Sequence, residues 1–66
     1  MVTKLKLLRI EKNLTQGEVG RALGINPVVL SKIENSWLKP NLKQRAKLAR
    51  FYGVSEIELE DLLKET

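Results

Sequence analysis

The sequence predicts an all-α fold, a compact domain of five short helices. Helix-start signals recur along the chain, and three of them are complete capping boxes: Thr15-x-x-Glu18, Asn41-x-x-Gln44 and Ser55-x-x-Glu58. In such a box the first side chain accepts a backbone N–H of the new helix while the glutamate or glutamine reaches back to the cap. Stop signals follow at Asn13, Gly24 and Gly53, residue types that accept the left-handed conformation ending many helices. Strand signals are absent, with no alternating apolar run and no Asn-Gly hairpin turn.

Each element has its own local reason. Helix one is expected over Lys4 to Lys12, with Leu5, Leu8 and the following Leu14 on its buried side and Asn13 as its stop. Helix two opens at the Thr15 box, turns Val19, Gly20 and Leu23 inward, and ends at Gly24. Asn26 caps helix three, and Pro27 takes its first position, where a missing N–H costs nothing. Leu30 and Ile33 continue the apolar face before the loop "NSWLKP". Helix four starts at the Asn41 box, with Leu42, Ala46, Leu48, Ala49 and Tyr52 as its expected buried side and Gly53 as its stop. Helix five starts at the Ser55 box and offers Leu59, Leu62 and Leu63 to the core. Short helices with brief connections and one-sided apolar faces pack as one all-α domain, here residues 1–66.

Composition narrows the function. The 66 residues contain no cysteine and no histidine, which removes disulfides, thiolate metal sites and the commonest general base and metal ligand. We therefore expect no metal, no cofactor and no enzyme: Glu11, Glu18 and Glu34 have no acid–base partner arrangement, and no glycine-rich phosphate loop is present. No apolar stretch approaches the roughly 20 residues that cross a bilayer. The N-terminal "MVTKLKLLRI" interleaves lysine with leucine and has no small-residue cleavage site, unlike a signal peptide. A cytoplasmic protein without membrane association or small-molecule substrate is the expectation.

The net charge is +4, unevenly spread. Residues 1–54 carry eleven Lys/Arg against three Asp/Glu, a net +8, and residues 55–66 carry one against five, a net −4. A basic body suggests a polyanionic partner. RNA fits less well than duplex DNA, because single-stranded RNA is usually read on sheets bearing several aromatic residues.

Helix two, a glycine turn and helix three form a helix-turn-helix pattern. Here the sequence resembles the Cro and phage-repressor-like domains of the Xre family, in "LRIEKNLTQGEVGRALGI", "LSKIEN", "LKPNL" and "LARFYGVS". The resemblance runs from about Leu5 to Leu63 and is most specific at Arg9, Thr15-Gln16, Leu23-Gly24, Ile33-Glu34-Asn35 and Pro40. It implies a five-helix lambda-repressor-like fold that binds double-stranded DNA. It also implies that Arg9 and Glu34 form a shielded ion pair between helices one and three, where two solvated surface charges would be the alternative. Gln16 and Asn35 match phosphate-contacting positions, against ordinary helix-end hydrogen bonding. The helix-three face that enters the major groove comprises Pro27, Val28, Ser31 and Lys32, with Asn26 at the cap.

That face departs from the family habit, because its front is apolar. Pro27 donates no hydrogen bond, and Val28 offers only methyl contact, for instance to thymine. Ser31 bonds several bases, and Lys32 suits guanine or a phosphate. Modest base readout supported by phosphate contacts and DNA shape is the expectation. Lys39 and Lys43 are further phosphate candidates. Arg45 replaces a usually apolar residue, with its stem expected to lie along the surface.

Several large apolar residues fall off the predicted buried stripes: Leu7, Ile10, Trp37, Leu38 and Phe51. Aromatic residues are favoured interface anchors, so a symmetric homodimer with Trp37, Leu38 and Phe51 at its interface is expected. The alternative for Trp37 is a lid over its own core. The leading functional expectation is a sequence-specific transcriptional regulator, a repressor, whose third helices lie about 34 Å apart in successive grooves of a palindromic site. No separate effector domain is expected. The alternative is a protein-interaction or antitoxin-type module that keeps the fold but has weak or no base readout and binds a protein partner.

Overall fold

A computed structural model describes residues 2–66; Met1, the first residue of the expected domain, lies outside them. The helices are α1 (Lys4–Glu11), α2 (Gln16–Leu23), α3 (Pro27–Glu34), α4 (Leu42–Tyr52) and α5 (Glu56–Leu62). No strand occurs among the described residues, apart from a single antiparallel bridge between Thr3 and Glu65. The three capping boxes form as the spacing predicts, and Asn26 caps α3 with Pro27 at its start.

The core is built from Leu5, Val19, Ile25, Leu30, Ile33, Leu48, Ala49 and Leu59, so every helix contributes. Leu8, Leu14, Leu23, Tyr52, Leu62 and Leu63 are half-buried around it. Two expectations for α4 fail. Leu42 is 83% exposed and Ala46 is also exposed. The buried stripe of α4 starts one turn later, at the Arg45 stem, and continues through Leu48, Ala49 and Tyr52. The first turn of the helix overhangs the core, and Ala46 sits beside the stripe, where it lines a surface groove.

The two ends of the described residues are tied to the body and to each other. The Thr3 hydroxyl caps α1, its backbone N–H donates to the Glu34 carbonyl at 2.9 Å, and the residue is fully buried. Lys4 N–H donates to the Lys64 carbonyl, and Thr66 N–H to the Val2 carbonyl, each at 3.1 Å. These bonds satisfy backbone groups that a frayed end would leave to water.

Four connections turn through a left-handed residue: Asn13, Gly24, Ser36 and Gly53. An apolar residue follows each one, and Leu14, Ile25 and Val54 pack on the core. Ser36 (φ 62°) closes α3 with Ser36 N–H donating to the Ile33 carbonyl at 3.2 Å and Trp37 N–H to the Lys32 carbonyl at 2.8 Å. These are the two paired hydrogen bonds of a Schellman turn. Trp37, in the place of the usual tucked apolar residue, is 77% exposed and is not a lid.

Ser36 is the position where the turn conflicts most with its residue type. A Cβ in the left-handed region costs about 1 kcal/mol, and glycine's looser unfolded chain offsets part of any gain from removing it. Ser36→Gly should therefore raise stability by about 0.5 kcal/mol, read as a higher urea midpoint. An unchanged or lower midpoint would sink this account.

Candidate nucleic-acid interface

The two helices that meet at Gly24 are held close by their smallest residue. At Gly20 an added Cβ would lie 2.6 Å from the Ile25 carbonyl oxygen. The Gly20 carbonyl accepts the Ile25 N–H at 2.9 Å. Together they set α3 against α2. Sequence pattern placed Gly20 inward but did not reveal that the turn's backbone excludes any side chain there. Gly20→Ala should cost about 2 kcal/mol, as overpacking against backbone does, whereas Gly17→Ala, with open space at its Cβ apart from the Thr15 hydroxyl, should cost far less. Equal losses in thermal melts would count against the close-approach explanation.

The projecting face of α3 follows from helical geometry. At about 100° per residue, Leu30, Ile33 and Glu34 share the buried side, Val28 and Lys32 point away from it, Ser31 lies between, and Pro27, in line with Glu34, is exposed at the start of the helix. Val28 is 62% exposed, and Pro27 and Lys32 are exposed. The Asn26 side-chain oxygen is committed to the Val28 N–H at 2.8 Å. Ser31 is half-buried, and the Asn35 amide donates to its carbonyl at 2.8 Å and lies 3.4 Å from its hydroxyl. Asn26, Pro27, the valine methyls and the lysine are the exposed groups of this face.

Arg9, Glu34 and Gln16 meet beneath the start of α2. Arg9 Nε lies 2.8 Å from Glu34 Oε2, and Arg9 is buried and Glu34 fully so. Arg9 also donates to the Leu14 carbonyl at 2.6 Å. The other carboxylate oxygen, Oε1, accepts from Gln16 Nε2 at 3.0 Å. Both Glu34 carboxylate oxygens and the Arg9 guanidinium have partners, which is what makes a buried ion pair tolerable. Sequence reading linked Arg9 to Glu34 but did not place Gln16 on the same carboxylate.

Tyr52 of α4 borders the knot. Its hydroxyl is buried without a hydrogen-bond partner among the described residues. Burial pushes the phenol up to about 12, the nearby Glu34 carboxylate adds to the rise, and Arg9 opposes it. The unfolded phenol titrates near about 10. Between those values the unfolded chain releases a proton that the folded chain keeps, so stability should fall as pH rises. Urea midpoints from pH 9 to 11.5 should drop more steeply for the wild type than for Tyr52→Phe; parallel profiles would overturn the assignment.

Three cations of α4, Lys43, Lys47 and Arg50, gather beside α2, while Lys39 lies in a different groove with Glu60 and Glu65. Lys32, Lys39, Lys43, Lys47 and Arg50 have no ion-pair partner among the described residues. Helix α5 engages other cations: Arg45 pairs with Glu56 and Glu60, and Asp61 with Lys4 and Lys64. Arg45 is thus held half-buried across α4 and α5. Lys43, Lys47 and Arg50 rim a groove of about 620 Å³ with Ala22, Leu23, Ala46 and Phe51. Leu38 lines a different groove, with Ile33, Pro40 and Leu63, so the structure does not gather Phe51 and Leu38 at one place.

This arrangement defines a helix-turn-helix domain, in which a short supporting helix and a tight turn hold a second helix outward. A profile described as helix-turn-helix matches residues 5–59, and the chain belongs to the Xre-family helix-turn-helix proteins. It is 37% identical over 62 residues to an uncharacterized HTH-type transcriptional regulator of Methanocaldococcus jannaschii, covering 94% of this chain and 89% of that protein. It is also 37% identical over 57 residues to the transcriptional repressor RstR of the cryptic phage CTXphi from Vibrio cholerae. That match covers 86% of this chain and 51% of the repressor, so the chain spans about half its length. No solved structure matches significantly. Among the described residues no helix is long and apolar enough to cross a membrane.

Proposed function

We propose that this chain is a DNA-binding transcription regulator, a repressor, that acts as one domain inside the cell and inserts α3 into the major groove. Family membership and two relatives named as transcriptional regulators support the regulator class. The observation that carries the reading is the outward face of α3 flanked by cations that no carboxylate neutralises. In this reading Lys32, Ser31, Val28, Pro27 and Asn26 meet the base edges. Gln16, Asn35, Lys39 and Lys43 meet the phosphates. A homodimer on a palindromic site supplies the second α3, and exposed Trp37 and Leu38 favour an apolar interface near the end of α3. Phe51 belongs with the cation-rimmed groove.

A second reading is favoured by one specific observation. Pro27 and the exposed Val28 occupy the front of α3, where they can donate no side-chain hydrogen bond. With the exposed Trp37, they suit a protein-interaction or antitoxin-type module with little base readout.

Selection from a random duplex pool at about physiological salt separates the two. The DNA reading expects an enriched palindrome with half-sites about one helical turn apart. It also expects affinity that falls steeply with salt, with Lys43→Ala lowering the log–log slope by about 1 per protomer. No enrichment, together with weak bulk affinity, favours the interaction module. A monomeric mass by light scattering, with and without duplex, would overturn the homodimer.

A further inference from the structure

We propose that Glu34 is a positioning residue for DNA binding: its buried carboxylate holds one N–H of the Gln16 side-chain amide and so presents the other N–H to a backbone phosphate. This inference rests on the DNA-binding reading above.

The geometry supplies each step. A glutamine amide has two N–H donors and a carbonyl oxygen on one planar group. In the free protein one donor of Gln16 is already engaged, 3.0 Å from Glu34 Oε1. The acceptor is a carboxylate, so the amide must face it through nitrogen, which fixes the orientation of the planar group about that bond. Glu34 is itself immobile: it is fully buried, its other oxygen is held by Arg9 at 2.8 Å, and its backbone carbonyl accepts from Thr3. Gln16 is half-buried at the first position of α2, so the second N–H remains within reach of solvent.

The charge balance requires Arg9. A carboxylate near the DNA face repels phosphate unless a cation neutralises it, and Arg9 does so from the core side. The hydrogen bond survives and the repulsion is cancelled. The arrangement also fixes a long side chain before DNA arrives, which removes part of the ordering cost of binding. A small domain gains little net stability from a buried ion pair compared with well-packed apolar residues. Positioning of Gln16 is a use for this one that apolar residues could not supply.

The test is a double-mutant cycle on binding to a mixed-sequence duplex of roughly 20 base pairs at low salt, where phosphate contacts dominate. Gln16→Ala should weaken binding roughly 10- to 100-fold, the worth of a hydrogen bond to a charged group. Replacing the pair as a unit, Arg9→Met with Glu34→Leu, should weaken it similarly, and adding Gln16→Ala to that variant should change little further. A merely structural pair predicts otherwise: the folded double variant binds as the wild type does, and Gln16→Ala costs its full factor in both backgrounds.

Amide NMR on the wild type keeps the inference falsifiable should the double variant not fold. The two Gln16 side-chain amide protons, assigned by their loss in Gln16→Ala, should be widely split in the free protein. On adding the duplex, the Glu34-bonded proton should hold its shift while the other moves. Loss of the shifted signal on binding would mean that DNA pulls Gln16 from Glu34, and would overturn the inference alone. Absence of any duplex binding would overturn the DNA reading along with it.

Discussion

The carboxylate of Glu34 is the point on which the rest of the domain is hung. It stands at the end of α3, takes Arg9 from α1 and Gln16 from α2, and lies near Tyr52 of α4; its backbone carbonyl receives Thr3 from the N-terminal segment. Arg9 extends the tie to the α1–α2 connection through the Leu14 carbonyl. A core of eight buried apolar residues can bring five helices together, but apolar contact is not directional and tolerates sliding. Hydrogen bonds to a fixed carboxylate are directional. They set the start of α2 relative to the end of α3, and that relation decides where the projecting face points. The shielding that makes the pair expensive to form also keeps it unscreened by salt.

The local ends of the helices are written differently from the way the helices pack. Each capping box is a contact between residues three apart, so the sequence alone reveals Thr15–Glu18, Asn41–Gln44 and Ser55–Glu58 as completely as the structure does. Gly24, Gly53 and Asn13 are likewise legible, because their residue types suit a left-handed turn. Ser36 is not, because serine carries no such preference and the conformation is imposed by the hydrogen bonds that close α3. Leu42 misleads for a related reason. Its spacing matches the stripe of α4, yet burial depends on whether the core reaches that turn of the helix, which periodicity does not encode. The Gly20 contact with Ile25 and the Gln16 bond to Glu34 belong to this second kind, since both depend on how the chain returns on itself.

Charge follows the same division. The sequence separates a basic body from an acidic end, but not what the acidic end does. In the fold, α5 spends its carboxylates on Arg45, Lys4 and Lys64, cations of α1, α4 and the C-terminal turn. These exposed pairs contribute little to stability. Their larger consequence is what they leave alone. The lysines at the end of α3, in the following loop and along α4 stay unneutralised, as do Lys6, Lys12 and Arg21, so the positive charge of the domain is kept on the body outside α5. The field of such a body attracts a polyanion irrespective of its sequence.

The apolar front of α3 then bears on how such a field becomes selective. The Asn26 oxygen caps α3, the Asn35 amide donates to the Ser31 carbonyl and lies by its hydroxyl, and Pro27 has no donor. Lys32 alone on this face offers a free charged donor, and Val28 offers methyl groups. A valine pressed against a base edge excludes water and favours thymine, but it penalises the wrong base mainly through stranded polar groups on the DNA. Discrimination of that kind depends on how closely the helix approaches. Close approach depends on the backbone being held at the right height by contacts outside the groove. In the DNA-binding reading proposed above, the seat of Gln16 on Glu34 and the tight Gly20–Ile25 turn would set that height. On that reading, a weakly polar α3 can bind selectively only if the scaffold behind it fixes how closely it approaches.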